Sequence, residues 1–260
     1  MIGFKYITLA INNRVGVITL NRPEKRNALS SELISELKTA FERYENDSQV
    51  SVIVLKANGP SFCAGADIAD LQKLQNYSFE ENRTDSNHLK ELFLTIYTLK
   101  KVVIAQVQGH ALAGGCGLVT VCDFAFSVPD AKFGFPEVRI GFIPAIVMIF
   151  LLRKVGEAKA KHLLISGNNF SAEQARETGL VYEIVGTDAL ESHVMDFAKR
   201  LIESNSSQAM MLTKQMLTKL HSMSLLESLA IAADMNARAR ETEDFKRGIQ
   251  SFLNKEKPSW

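Results

Sequence analysis

The run Gly109-His110-Ala111-Leu112-Ala113-Gly114-Gly115-Cys116-Gly117-Leu118 constrains the fold more than any other stretch of the chain. It follows directly on the apolar, strand-like segment Val102–Val107 and leads into Leu118-Val119-Thr120-Val121, which reads as the start of a helix. A strand, a turn of small residues and a helix in succession leave backbone N–H groups uncovered, and the glycines at 114, 115 and 117 let a ligand approach the chain closely. A second loop of this kind, Phe62-Cys63-Ala64-Gly65-Ala66-Asp67, follows the apolar residues Val50 and Val52 to Leu55 and precedes another helix-like stretch. Two such loops can offer one N–H each to a single carbonyl oxygen, the arrangement that stabilises an enolate or a tetrahedral oxyanion. Taken singly, each is equally well a tight turn packed with small residues.

Around these loops the pattern is strand, helix, strand. Residues 6–11 and 15–20 are rich in β-branched side chains and predict a hairpin turning at Asn12-Asn13. Ser30 is placed as an N-cap before a helix whose apolar residues Leu33, Ile34, Leu37 and Phe41 share one face. Further strands are expected at 50–55, 102–107 and 123–127, with helices at about 67–75 and 87–100, so the fold class is α/β. Beyond Ala158 helical periodicity dominates, broken by glycines and a short strand-like Val181-Tyr182-Glu183-Ile184-Val185. The apolar stretch 142–152 contains Pro144 and stops at Arg153-Lys154, too short for a bilayer and suited to a buried helix.

At 260 residues and 46% hydrophobic content the chain can bury a sizeable core as one compact unit. Its 30 basic against 29 acidic residues leave a net charge of +1, which argues against nucleic acid and anionic membranes as partners. The N-terminal residues 1–9 lack the features of a signal peptide and read as a first strand. Three cysteines, Cys63, Cys116 and Cys122, form no metal or disulfide pattern and fit a reducing, cytoplasmic setting as packing residues. The histidines at 88, 110, 162, 193 and 221 have no metal spacing, and neither a P-loop nor a Rossmann glycine pattern occurs, so no metal and no separate cofactor is expected. His110, without an Asp, Ser or Cys partner at a recognisable spacing, reads as a loop hydrogen-bonder.

The pairing of Ser61-Phe62-Cys63-Ala64-Gly65-Ala66-Asp67 with the 109–117 run resembles the two signature loops of the enoyl-CoA hydratase/isomerase (crotonase) superfamily. The likeness continues through Asn21-Arg22-Pro23-Glu24-Lys25-Arg26-Asn27-Ala28-Leu29 and Phe133-Gly134-Phe135-Pro136-Glu137-Val138-Arg139-Ile140-Gly141. It ends with Gly156-Glu157-Ala158-Lys159-Ala160 and the segment from Ala172 to Val181, in family order and over nearly the whole chain. The resemblance implies a spiral of ββα units over residues 1–200, closed by a helical oligomerisation region at 201–260 that assembles trimers or hexamers. It also implies acyl-CoA thioesters as substrates, coenzyme A being part of the substrate rather than a cofactor. By position, the N–H groups of Ala66 and Gly114 become the oxyanion donors, and the glutamate of Pro136-Glu137 the acid/base. Glu137 stands among Phe133, Phe135, Val138, Ile140 and Phe142, where desolvation favours the protonated carboxyl. Lys25, Arg26 and Ala28 match the segment beside the pantetheine and phosphates, and Ala64, Ala66, Asp67 and Ile68 the adenine-side loop, with Gly114 also touching the thioester. Phe252 and Lys255 match positions that reach an acyl-CoA.

One departure matters. Where two-carboxylate hydratases of the family carry a second glutamate, this chain has Gly117, which puts two-base hydration in doubt. One carboxylate can instead activate water and return its proton to the α-carbon, or shuttle a proton between the α and γ carbons as an isomerase does. Gly117, together with Ala145-Ile146 after the Gly141-Phe142-Ile143-Pro144 turn, is similar to members acting on branched acyl groups such as 3-methylglutaconyl thioesters. A distal carboxylate on such a substrate needs a cation, for which Arg139 is a candidate, although a surface role for it is the plainer reading. The expectation is therefore an enoyl-CoA hydratase, with Δ3,Δ2-enoyl-CoA isomerase as the alternative and a non-catalytic CoA-binding scaffold as the alternative of another class.

Overall fold

A computed structural model describes residues 3–220 and 223–260; Met1, Ile2, His221 and Ser222 lie outside the described residues. Strands β1 (Ile7–Asn12) and β2 (Val15–Leu20) form the expected hairpin. Its turn sits one residue later than the sequence suggested, at Asn13 and Arg14, whose φ of 49° and 67° give a two-residue mirror-image turn that matches the strand twist. Helix α1 (Ser31–Asn46) is capped by Ser30, whose side chain accepts from the Leu33 N–H at 3.3 Å. Its buried stripe is Leu33, Ile34, Leu37, Ala40, Phe41 and Tyr44, the face expected, and it packs against the wholly buried β2 and its neighbours.

The chain then alternates between two sheets. It runs through β3 (Val52–Ala57), β4 (Ser61–Cys63), α2 (Ile68–Leu74) and α3 (Phe79–Thr98). β5 (Val102–Val107), β6 (His110–Leu112) and α4 (Gly114–Val121) follow, then β7 (Phe124–Ser127), β8 (Lys132–Gly134), a 3-10 turn at Pro136–Ile140 and α5 (Ala145–Val155). Each long strand joins a six-stranded sheet of order β1-β2-β3-β5-β7-β10, and each following short strand joins a four-stranded sheet of order β4-β6-β8-β9. These repeated strand-strand-helix passes are the ββα spiral that the family resemblance implied. The step from β5 to β6 is made at Gly109, where any side chain would collide with the backbone of Pro60: a Cβ there would stand 2.1 Å from its carbonyl oxygen.

The remaining elements are α6 (Glu157–Ser166), β9 (Asn169–Ser171), α7 (Ala172–Thr178), β10 (Glu183–Ile184), α8 (Leu190–Ser204), α9 (Ser207–Leu220), α10 (Leu225–Glu241) and α11 (Glu243–Asn254). The last third is helical, as its periodicity indicated. Two expectations need correction. Helix α3 begins at Phe79 rather than near residue 87, because Ser78 and Glu81 form a capping box that starts the helix two turns earlier. Residues 142–152 do not form a buried helix: α5 buries Val147, Phe150, Leu151 and Val155, whereas Phe142, Ile143 and Ile149 are half or more exposed. Among the described residues no helix is long and apolar enough to cross a membrane.

Candidate active site

Three neighbouring parallel strands of the small sheet, β4, β6 and β8, end side by side. The residues singled out from the sequence follow those ends directly: Ala66 lies three residues past β4, Gly114 two past β6 and Glu137 three past β8. The middle position of β6 puts Gly114 between the other two. Carboxyl ends of parallel strands are where open α/β sheets place their ligands, since the strand backbones are satisfied and the loops leaving them are not.

The two donor loops touch. A Cβ built on Gly65 would stand 2.7 Å from the Ala113 side chain and 3.4 Å from the Gly114 nitrogen, and one on Gly115 would stand 2.1 Å from the Cys63 carbonyl oxygen. Glycine at 65 and 115 is therefore what lets the loops close on each other. The direction of the Ala66 N–H follows from its neighbours: Leu29 donates to the Gly65 carbonyl at 2.7 Å and accepts from the Asp67 N–H at 3.1 Å. These bonds hold both flanking peptide groups against Leu29 in a parallel bridge, which turns the N–H of Ala66 to the other side. Gly114 is the first residue of α4, where N–H groups have no intrahelical acceptor and the helix dipole is positive. Among the described residues neither N–H has a backbone acceptor. Ala113, between β6 and α4, is held at φ 49° and ψ −123°, a conformation costly for a residue with a Cβ, by the bond from its N–H to the Gly134 carbonyl at 2.8 Å.

Glu137 is half-buried, and its Oε2 is enclosed without a hydrogen-bond partner. Burial pushes its carboxyl above the ordinary glutamate range, only partly opposed by a backbone hydrogen bond of its own residue. A carboxyl held this way takes up a proton more readily than a solvated one, as a group that must both accept and return a proton requires. Gly117, by contrast, does not open space opposite it. A Cβ there would stand 2.7 Å from Val147 Cγ2 and 2.8 Å from the Phe93 ring, so buried apolar groups from α5 and α3 close the position where a second carboxylate would project.

The family model for enoyl-CoA hydratase/isomerase matches residues 10–260. This chain belongs to the enoyl-CoA hydratase/isomerase family. A putative enoyl-CoA hydratase of Thermus thermophilus is 40% identical over 247 residues, covering 94% of this chain and 96% of that protein. A 2,3-dehydroadipyl-CoA hydratase of Escherichia coli is 32% identical over 248 residues, 95% of each chain. Among solved structures, an enoyl-CoA hydratase from Shewanella pealeana superposes with a TM-score of 0.93 at 31% identity, covering 99% of this chain and 96% of that one. The chain is thus an enzyme of the crotonase superfamily.

As a member of the enoyl-CoA hydratase/isomerase family it also brings its thioester-side candidates together. The N–H of Ala64 donates to the Arg26 carbonyl at 3.0 Å, which lays residues 25–29 along residues 64–68. Lys25, Arg26, Ala66 and Ile68 are exposed on this edge, and Ala64 partly so, whereas Ala28 is buried. The Asp67 carboxylate is buried, bonded to Arg22 Nη1 at 2.6 Å and capping α2 through the Ala69 N–H at 2.8 Å. Burial alone would raise its pKa, but Arg22 and the Ala69 N–H outweigh burial and hold it below the usual carboxylate range. Asp67 therefore shapes the donor loop, and its side chain is not free for a nucleotide. Arg139 is likewise occupied, bonded to Asn168 Oδ1. His110 Nδ1 accepts from the Lys132 N–H at 3.2 Å, a loop contact as expected. Cys63, Cys116 and Cys122 are all buried, and burial pushes the Cys63 and Cys122 thiols up to about 12, which suits packing rather than nucleophilic roles.

Sequence reasoning missed Asn27. Wholly buried, it donates from Nδ2 to the carbonyls of Asn58 and Ser61 at 2.9 Å each and accepts from the Arg22 N–H at 2.9 Å, tying the 22–29 segment to β4. Its φ of 53° is a conformation asparagine tolerates well, which was the only available signal. A cavity of about 820 Å³ lined by Tyr97, Phe124, Leu217, Phe245 and Trp260 lies apart from the three strand ends.

Proposed function

We propose that this enzyme reversibly adds water across the α,β double bond of an enoyl-CoA thioester. The observation that carries the reading is the convergence of Ala66, Gly114 and Glu137 at the ends of β4, β6 and β8. The N–H groups of Ala66 and Gly114 receive the thioester oxygen. Water attacks the β-carbon while the Glu137 carboxylate takes its proton, and the π electrons move onto the thioester oxygen as an enolate. The enolate then collapses, and the protonated Glu137 returns that proton to the α-carbon. With one carboxylate doing both transfers, hydrogen and hydroxyl arrive from one face. Removing either donor costs on the order of 3 kcal/mol of barrier, since each acts only on charge that develops in the transition state.

Lys25 and Arg26, exposed beside Ala64 and Ala66, are proposed to meet the coenzyme A phosphates, with Ala28 and Ile68 lining the thiol-to-adenine path. The acyl group is proposed to be apolar where it meets this chain, because Phe93 and Val147 close the Gly117 position and Arg139 is bonded to Asn168. A branched, carboxylate-bearing thioester such as 3-methylglutaconyl-CoA would need Arg139 to leave Asn168, or a cation from a neighbouring subunit. The 201–260 region, with Leu225, Leu226, Leu229, Phe252 and Leu253 exposed, is the proposed subunit contact of a trimer or hexamer.

The closure of the Gly117 position also favours a second reading, Δ3,Δ2-enoyl-CoA isomerisation, in which the single Glu137 moves a proton between the α and γ carbons. Crotonyl-CoA, 3-methylglutaconyl-CoA and a 3-enoyl-CoA separate the two. Loss of conjugated absorbance with the first pair supports hydration; its appearance from the third supports isomerisation. Full turnover of every thioester by Glu137→Gln would refute both.

A further inference from the structure

Helix α4 presents its first N–H at the proposed oxyanion site, and a lysine sits at its other end. Lys154 Nζ, reaching across from α5, donates to the Cys122 carbonyl at 2.6 Å and the Thr120 carbonyl at 3.2 Å, with the Val119 carbonyl at 3.5 Å. Cys122 is the extended C-cap residue just past α4, and Thr120 and Val119 carry terminal carbonyls of the helix, which have no intrahelical donor. Buried α4 offers them no water: every residue from Gly115 to Val121 is buried. Asp123, next along the chain, accepts from the Val103 N–H at 2.7 Å and from Lys214 Nζ of α9 at 2.6 Å.

We infer that Lys154 is a positioning residue for the reaction: its ammonium fixes and neutralises the negative end of α4, so that the positive end is held, undiminished, on the thioester oxygen. The inference rests on the reading of Gly114 as a donor. A cation at a helix C-terminus offsets the partial negative charge there, and in a buried helix of only two turns that charge is near enough to weaken the N-terminal field. Burial holds the Lys154 pKa below the ordinary lysine range, with Lys214 acting the same way, while Cys122, Asp123 and Cys116 oppose it. These are the groups that face it from α4, from the segment after it and from α9.

The test uses Lys154→Gln, which keeps a donor but removes the charge, and Lys154→Arg, which keeps both. The probe is acetoacetyl-CoA, whose enolate absorbs where its keto form does not, so that the bound enolate fraction reports the pull on the oxygen without turnover. Lys154→Gln is expected to lower the enolate fraction and to lower kcat for crotonyl-CoA about three- to tenfold at unchanged KM, and Lys154→Arg to restore both. In the wild type kcat should fall on the alkaline side as Lys154 loses its proton; that limb should be absent from both variants. A folded Lys154→Gln with wild-type enolate fraction and kcat, or a wild-type alkaline limb that persists in both variants, would overturn the inference. Absence of any enolate on the wild-type enzyme would instead sink the donor pair itself, and a wild type that forms enolate but hydrates nothing would sink the hydratase reading alone.

Discussion

Gly115 offers a sharp test of whether the closeness of the two loops matters to the chemistry. Replacing it with alanine keeps an ordinary helical backbone, and alanine is the better helix former by about 1 kcal/mol. Its methyl, however, would stand 2.1 Å from the Cys63 carbonyl oxygen and 2.8 Å from the Cys63 Cβ. Because the first obstacle is backbone, no rotamer relieves it, and the end of β4 must part from α4 by roughly 1 Å to restore ordinary contact. Ala66 follows β4 and Gly114 begins α4, so the displacement separates the two proposed donors. An oxyanion donor works within 2.7–3.1 Å of the oxygen, and an error of about 1 Å costs on the order of 100-fold, near 2.7 kcal/mol of barrier. Gly115→Ala should therefore lose about two orders of magnitude in kcat for crotonyl-CoA, followed as loss of the conjugated thioester absorbance, while its far-ultraviolet dichroism stays native. Gly117→Ala is the control. The nearest atoms to its methyl are those of the Phe93 ring and the Val147 methyl, which can give, so overpacking of about 1–3 kcal/mol is partly offset by the gain in helix propensity and turnover changes little. Wild-type kcat in a folded Gly115→Ala enzyme would refute the reasoning.

Other outcomes follow from the same contacts. Glu137→Gln should abolish turnover yet melt higher than the wild type at neutral pH. A carboxyl whose folded pKa is raised withdraws stability as pH climbs from the unfolded value, near 4.3, through the folded one. The difference in melting temperature should vanish in acid, where the wild-type carboxyl is protonated in both states. Asn27→Ala strands the Asn58 carbonyl and the Arg22 N–H, leaves the Ser61 carbonyl to Gln108 Nε2, and places alanine at positive φ, for an expected loss of about 2–4 kcal/mol in urea unfolding. Arg22→Met should cost about 2–3 kcal/mol at neutral pH by leaving Asp67 without its partner. Since the Asp67 pKa is depressed in the fold, that stability is present above the ordinary carboxylate pKa and lost as pH falls through the folded value, so wild type and variant should converge in acid melts.

Much of the fold was legible because its long elements carry a period. Val102–Val107 was read residue for residue as a strand, and the α1 face from Leu33 to Phe41 was placed with its Ser30 cap, since six or more residues of pattern outweigh local ambiguity. The four-stranded sheet was not, because β4, β6, β8 and β9 are three residues each and show no alternation. Ala66, Gly114 and Glu137 follow the ends of those strands, so motif order singled out the candidates while the adjacency of the strand ends waited for the structure. Side-chain commitments between distant segments were the other hidden class. Asp67 pairs with Arg22 across 45 positions, and Phe93 reaches Gly117 from another helix. Neither spacing nor composition marks such contacts. The exposed side of α5 was misread because an apolar run signals burial without saying whether the covering surface belongs to the same chain.

The most direct measurement is a crystal structure of the enzyme with acetoacetyl-CoA bound. The thioester oxygen should lie about 3 Å from the nitrogens of both Ala66 and Gly114, with the Glu137 carboxyl facing the α-carbon. A thioester oxygen bonded elsewhere, or a Glu137 turned to bulk solvent with ligand in place, would contradict the two-amide, one-carboxylate site.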